Sequence, residues 1–277
     1  IIHDVLPRRT FLRRKSAGAN VEHQMIASNI DVAFIMQSCD FNFNLRRLER
    51  YLVMVHEGRV TPIILLSKSD LISPEELQAL IAEVQDSKID AAIMPFSSRT
   101  GDGLDSLKQS LQPSKTYCLL GSSGVGKTTL INSLLGQEIY ETQPVRENDS
   151  RGRHTTTRRE LTVLDNGALL IDTPGMRELG LIAAGDTIDE SFGEIEELAR
   201  KCRFSDCTHT VERDCAVLGA IERNELSEDR YRSYLKLRKE SAFHEMTYVE
   251  RRRKDKQFGR MINTALKQLN KRKPSST

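Results

Sequence analysis

The chain has 277 residues, enough for one large domain or two modest ones with a proper core. Hydrophobic residues make up 38% and charged residues 29%, and no run of about 18 apolar residues occurs, so a globular, charged protein is expected and a membrane-spanning helix is not. The formal net charge of +2 hides an uneven distribution: ten Lys or Arg against two acidic residues give 250–273 a local charge of +8, and "RRTFLRRK" forms a smaller basic patch over 8–15.

In chain order, residues 1–30 are mixed and basic and too few for a domain of their own. Short apolar runs follow at 31–37 ("DVAFIMQ"), 62–67 ("PIILLS"), 91–97 ("AAIMPFS"), 117–121 ("YCLLG") and 168–173 ("ALLIDT"). Their length and polar ends predict buried strands of a parallel sheet. Helical stretches lie between them: 45–58 and 126–136, each ending in Gly, and 73–87, opening on Ser-Pro-Glu-Glu. Strand and helix alternate, which predicts an α/β architecture with helices on both faces of the sheet. Near residue 183 the pattern changes, and 186–250 read as helices around a cysteine cluster. The segment 248–273 reads as an amphipathic basic helix, with Phe258, Met261, Ile262, Ala265, Leu266 and Leu269 on one face. The expected units are therefore 1–30, 31–183 and 184–277.

"GSSGVGKT" (121–128) fits the G-x-x-x-x-G-K-[ST] phosphate loop, with a strand before it and a helix after. Gly121, Gly124 and Gly126 let the backbone wrap a polyphosphate, and the helix N-terminus adds positive potential. Lys127 is expected to reach the β- and γ-phosphates and Thr128 to offer its hydroxyl to Mg²⁺. "LLIDTPG" (169–175) then supplies Asp172, placed to hold Mg²⁺ through a water, and Gly175, placed to meet the γ-phosphate. Between the two lies "GRHTTT" (152–157), where one of Thr155, Thr156 and Thr157 completes the Mg²⁺ shell. Thr156 is the preferred choice, although the sequence does not separate the three.

Upstream, "SKSD" (67–70) and "FSSRTG" (96–101) are polar strand exits. An Asp at position 70 can accept from guanine N1–H and the 2-amino group, donors that adenine lacks. The Lys68 stem can cover the base plane, and Ser97 and Ser98 can approach O6. The expected nucleotide contacts are Ser67, Lys68, Ser69, Asp70, Ser97, Ser98, Gly121, Ser122, Ser123, Gly124, Val125, Gly126, Lys127, Thr128, Thr129 and Gly175. The base-reading segments precede the phosphate loop, the reverse of the usual order. A parallel sheet tolerates this if its strands keep their places.

"CRFSDCTHTVERDC" brings Cys202, Cys207, His209 and Cys215 within 14 residues, a closed Cys₃His set suited to one structural Zn²⁺. Such clustering, with no secretory pattern at the start of the chain, points to a reducing compartment, the cytoplasm.

The order Lys-x-Asp, Ser-Ser, phosphate loop, threonine segment, Asp-x-x-Gly resembles the circularly permuted GTPases. With "GRHTTT", "DTPGM" and the cysteine set it resembles the RsgA (YjeQ) family in particular, over roughly residues 3–273. That resemblance implies a GTP hydrolase assisting late maturation of the small ribosomal subunit, stimulated by the subunit, with GTP as substrate, Mg²⁺, and one Zn²⁺ on Cys202, Cys207, His209 and Cys215. The partners it implies are the subunit and its rRNA, met in part by the basic tail; the modest apolar face of that tail argues against membrane association, and a monomer is expected. The alternative is a nucleotide-gated rRNA-binding assembly factor in which hydrolysis is incidental. Two departures stand out. Ser67 replaces the family's usual Asn, which implies weaker base affinity or selectivity. The family's N-terminal OB-fold barrel is largely absent, with 1–30 able to hold only its last strand or so. The position where many GTPases place a water-orienting Gln is Met176, which leaves His154 as the candidate to position water, with Lys127 and Thr156 as the other catalytic candidates; the other reading of His154 is an exposed loop residue.

Overall fold

The computed structural model describes residues 3–15, 23–138, 160–173 and 185–246, together with Glu250, Arg253 and Lys256, which are helical. A hairpin of β1 (Phe11–Lys15) and β2 (His23–Ser28) comes first, antiparallel, so 1–30 hold two strands rather than one. β1 ("FLRRK") is rich in charge and β2 ("HQMIAS") opens and closes on polar residues, so neither has the long apolar run that marks a buried strand. It docks on the following domain at Gly58, whose carbonyl accepts from the Phe11 N–H at 3.1 Å. A Cβ at Gly58 would lie 1.6 Å from the Phe11 carbonyl oxygen, so only glycine permits this approach.

Five expected strands are present: β3 (Val32–Ser38), β4 (Thr61–Ser67), β5 (Ala92–Pro95), β6 (Thr116–Gly121) and β8 (Leu169–Asp172). They pair in parallel. A further strand, β7 (Glu160–Val163), pairs antiparallel with β8 at the edge, so the sheet is mixed and not wholly parallel. The strand order is β5-β4-β3-β6-β8-β7. β3 is the first of these six strands in the chain yet sits between β4, which ends at "SKSD", and β6, which leads into "GSSGVGKT".

The two faces of the sheet carry separate cores. Ala33 and Ile35 of β3 face a cluster that includes α1 (Leu45–Glu57) and Val84 of α2 (Pro74–Asp86). Phe34 and Met36 face the opposite cluster, with Leu107 of α3 (Leu104–Ser110) and Leu130 and Ile131 of α4 (Lys127–Leu135). Alternate residues pointing to opposite faces is the period-2 signature of a strand covered by helices on both sides. The chain winds toward β5 along one face and toward β8 along the other, so its direction reverses between β3 and β6. Open α/β sheets bind ligands at the carboxyl end of such a switch point.

Among the described residues up to Met246, the helices α5 (Gly185–Ser191), α6 (Gly193–Ala199), α7 (Ala216–Glu222) and α8 (Glu228–Glu245) follow. Their buried residues Ile188, Ile195, Val217 and Leu237, with Phe192 between α5 and α6, belong to the same core as α1. A buried polar network joins the two. Arg230 of α8 donates to Glu49 of α1 at 2.9 Å, to Glu194 at 2.7 Å and to the Ser191 carbonyl at 2.9 Å, and its guanidinium lies 3.9 Å from the Phe192 ring centroid. Glu49 also accepts from Arg46 and from the Ser233 hydroxyl. Arg50 adds a contact to Glu240, its Nη1 donating to Oε1 at 2.7 Å and to Oε2 at 2.6 Å. No described helix is long and apolar enough to cross a membrane.

Candidate functional site

The expected site residues that are described converge on the carboxyl edge of the sheet. β6 runs out at Gly121 into the loop 122–126, and α4 starts at Lys127. Gly124 and Gly126 take φ of 81° and 95°, which disfavours residues with a Cβ. A Cβ on Gly121 would meet the Met36 carbonyl oxygen at 2.9 Å and Val125 Cγ2 at 3.0 Å, so the loop packs directly on β3. The Lys127 ammonium donates to the carbonyls of Gly121 (2.9 Å) and Ser122 (3.0 Å), held within the loop. Burial pushes its pKa down to about 8, against the opposing charge of Asp172. Asp172 is buried at the end of β8, level with Leu119 of β6, and the neighbouring Thr173 hydroxyl donates to the Leu119 carbonyl. Thr128 is half-buried in the first turn of α4, while Ser123 is half-buried and Thr129 exposed. A buried carboxylate and a helix-start hydroxyl are oxygen donors of the kind Mg²⁺ takes, so this chemistry fits the cation.

On the other side of β3, β4 ends at Ser67, which is buried and donates its hydroxyl to the Val125 carbonyl at 2.7 Å. That bond ties the base-side strand to the phosphate loop. Lys68 is left-handed, and Ser69–Leu71 form a 3₁₀ turn that carries Asp70. Ser97, fully buried at the β5 exit, donates to Asp70 Oδ1 and accepts from the Arg99 and Thr100 N–H groups, each at 3.1 Å. Arg99 donates to Asp70 Oδ2 at 2.7 Å. The Ser97 hydroxyl foremost, and Arg99 with it, outweigh burial and hold the Asp70 carboxyl below its ordinary range, as an acceptor should be. Ser98 is half-buried beside it.

Two residues here were not singled out in the sequence. Asp40, just past β3, accepts from the Lys68 ammonium at 3.0 Å, and Arg99 engages Asp70. Asp40 carries a legible signal, a carboxylate at the exit of an apolar strand, the same signature as Asp172. His154, Thr155, Thr156 and Thr157, together with Gly175 and Met176, lie outside the described residues, as does most of the basic tail.

The cysteine set forms a second site. Cys202 follows α6, Cys207 and His209 lie in the loop, and Cys215 caps α7, its Sγ accepting from the Leu218 N–H at 3.5 Å. The four potential ligand atoms all lie within 4.8 Å of one another. Cys202 Sγ is 3.9 Å from Cys215 Sγ and 3.6 Å from His209 Nδ1, and Cys215 Sγ is 3.5 Å from Nδ1. A tetrahedron with Zn–S of about 2.3 Å and Zn–N of about 2.05 Å has S···S edges of about 3.8 Å and S···N edges of about 3.5 Å. The Cys202, His209 and Cys215 edges therefore fit Zn²⁺, with Cys207 Sγ within 4.8 Å of the other three, whereas a disulfide would need its sulfurs at about 2.05 Å. Burial holds the His209 imidazole below its usual pKa, keeping it neutral as a ligand must be. Burial raises the Cys202 thiol, but N–H groups of Ala216 and Val217 and the neighbouring thiols outweigh it, and the net shift is downward. Glu212 closes the loop by accepting from the N–H groups of Thr208, Thr210 and Val211 at 2.8–3.0 Å.

A family model described as RsgA GTPase matches residues 5–182. A model described as ABC transporter also matches, over 104–271, a range that contains the phosphate loop but begins after both base-side strand exits. The chain is 43% identical over 276 residues to "Small ribosomal subunit biogenesis GTPase RsgA 2" of Vibrio parahaemolyticus, covering 98% of this chain and 75% of that one. It is 44% identical over 243 residues to the RsgA of Methanosarcina acetivorans, covering 88% of this chain and 65% of the relative. Among solved structures, YjeQ from Thermotoga maritima aligns with a TM-score of 0.59 at 26% identity, covering 86% of this chain and 77% of its own. YloQ, titled a circularly permuted GTPase, aligns at 0.60 and 26% identity, covering 88% and 76%. These matches embrace the base-side exits and the phosphate loop together, and by them the chain belongs to the RsgA GTPase family.

Proposed function

We propose that this protein is a GTP hydrolase that acts in maturation of the small ribosomal subunit, in the cytoplasm and as a monomer. The observation that carries the reading is the meeting of "SKSD" and "FSSR" with the phosphate loop on either side of β3, at the reversal point of the sheet. The biological setting comes from the relatives' names, "small ribosomal subunit biogenesis GTPase".

In this reading Asp70 pairs with guanine N1–H and the 2-amino group, kept ionised by Ser97. Ser67 holds the base side to the phosphate side through Val125. The loop N–H groups and the α4 N-terminus take the phosphates, and Lys127 leaves its carbonyl partners for the β- and γ-oxygens, neutralising charge that grows as the γ-phosphoryl leaves. Thr128, Asp172 and Thr156 would hold Mg²⁺, which supplies charge neutralisation at the β- and γ-phosphates. His154 is the proposed water-positioning group and Gly175 the γ-phosphate sensor. Cys202, Cys207, His209 and Cys215 would hold one Zn²⁺ that fixes the loop between α6 and α7. We take 31–183 as the nucleotide unit and 184–277 as the helical unit, supported by the last sheet strand ending at Asp172 and helices beginning at Gly185. The basic residues of 250–273 are proposed to meet rRNA phosphates.

The test is nucleotide choice. The protein alone should hydrolyse GTP slowly and ATP far less. Asp70→Asn should turn preference toward XTP, because the amide N–H suits the C2 carbonyl of xanthine. Equal use of GTP and ATP would sink the guanine assignment.

A further inference from the structure

Lys68 adopts φ 58°, ψ 37°, a left-handed conformation unfavourable for lysine that persists only where its surroundings hold it. Two main-chain bonds fix the turn: Ser69 N–H to the Phe96 carbonyl at 3.2 Å, and Leu71 N–H to the Lys68 carbonyl at 3.1 Å. The side chain is fixed separately, by Asp40, with Nζ to Oδ2 at 3.0 Å. The other Asp40 oxygen accepts from the Ser38 hydroxyl at 2.7 Å and from the Asn42 N–H at 2.9 Å, so the carboxylate has its own supports. Cys39 N–H donates to the Ser67 carbonyl at 2.8 Å and holds the end of β3 against the base-reading motif. Burial raises the Asp40 carboxyl, but Ser38, Asn42 and Lys68 outweigh it and keep it ionised.

Ser67, by contrast, has one hydroxyl proton and a short reach. The Val125 carbonyl takes the better bond at 2.7 Å, with the Gln37 carbonyl at 3.2 Å. A side-chain amide at that position would carry two donors and an acceptor; the serine has its one donor committed to these carbonyls and offers the Lys68 ammonium only an uncharged oxygen, where Asp40 offers a carboxylate.

We propose that Asp40 is a positioning residue for purine recognition: it anchors the Lys68 ammonium from the adjoining strand so that the lysine stem lies across the base, a steadying role that Ser67 is too short to fill. This rests on the reading of "SKSD" as the base reader. Asp40 acts through Lys68 and does not touch the nucleotide.

The experiment is a double-mutant cycle on the full chain, Asp40→Ala, Lys68→Ala and both together, with Kd for a fluorescent GDP analogue, GTP turnover and Tm measured for each. Asp40→Ala should weaken GDP binding about tenfold, the scale of one charge-assisted hydrogen bond. Its kcat at saturating GTP should stay within about twofold, the mark of lost ground-state binding. In the Lys68→Ala background, Asp40→Ala should add nothing. Asp40→Asn, which keeps an acceptor, should lie between the wild type and Asp40→Ala. Fully additive losses, or an unchanged Kd in Asp40→Ala, overturn the proposal. Asp70→Asn separates the two levels. If it turns toward XTP while Asp40→Ala is silent, only the positioning role fails. If it still prefers GTP, the base-reading assignment fails and takes the proposal with it.

Discussion

Removing Arg230 tests how α8 is held to α1 on the face of the six-stranded sheet. Its guanidinium and the Glu49 carboxylate have side chains only 6% and 1% exposed. Arg230→Met keeps an apolar cover for the Phe192 ring but leaves Glu49 buried without its main counter-charge. Breaking a buried pair by deleting one partner costs about 3–5 kcal/mol. Glu49 keeps Arg46 at 2.7 Å and the Ser233 hydroxyl, and Glu194 can turn its 25% exposed side chain to water, so the loss belongs at the low end, about 3 kcal/mol. At about 2–4 °C per kcal/mol for chains approaching this size, Tm should fall by about 6–12 °C. Glu49→Met combined with Arg230→Met removes both charges, and replacing a buried pair by apolar groups is often neutral, so the double variant should recover at least about half the loss. Circular-dichroism melts of the wild type, both single variants and the double variant decide it. A fall of less than about 2 °C in Arg230→Met, or a double variant no better than the single, would refute the argument that a desolvated ion pair fixes this junction.

Three further outcomes follow from the sites. Burial holds Lys127 near pKa 8, and bound phosphate favours its charged form, so binding takes up a proton above that pH. GDP affinity should be level below about pH 7.5 and fall toward tenfold per unit well above pH 8, a slope that Lys127→Met removes; a flat profile to pH 9.5 would contradict this. Cys202→Ala should lose one equivalent of zinc by elemental analysis and lower Tm, because a structural zinc site contributes to folding; retention of the metal would rule out the Cys₃His assignment. Gly121→Ala forces a Cβ onto the Met36 carbonyl oxygen, which is backbone and cannot swing aside. It should weaken GTP binding at least about tenfold while the α/β sheet remains folded, and unchanged binding would show that the loop can yield.

The α/β order was readable because β3, β4, β6 and β8 are apolar runs with polar exits, and the helices between them carry ordinary start and stop residues, such as the Ser73–Glu76 capping box. The placing of the candidate residues was readable for the same reason: they sit at strand exits, where a short polar motif follows a buried run. β7 escaped because "ELTV" is an edge strand with exposed Leu161 and Val163, and no buried run marks it. The hairpin β1–β2 escaped because Arg13 and Arg14 break its apolar pattern; Arg13 pairs with Glu57 of α1, a partner 44 residues away. Asp40 carries the same strand-exit carboxylate signal as Asp172, but its contact with Lys68 follows from the pairing of β3 beside β4, which a linear motif does not express. The cysteine set was legible from residue type and count, whereas its ligand spacing required the fold.

The most direct measurement is GTP turnover by the full chain at fixed Mg²⁺, alone, with isolated small ribosomal subunits, and with large subunits. Slow hydrolysis is expected from the chain alone, rising strongly with small subunits and not with large ones. An unchanged rate with small subunits, or equal stimulation by large ones, would contradict it.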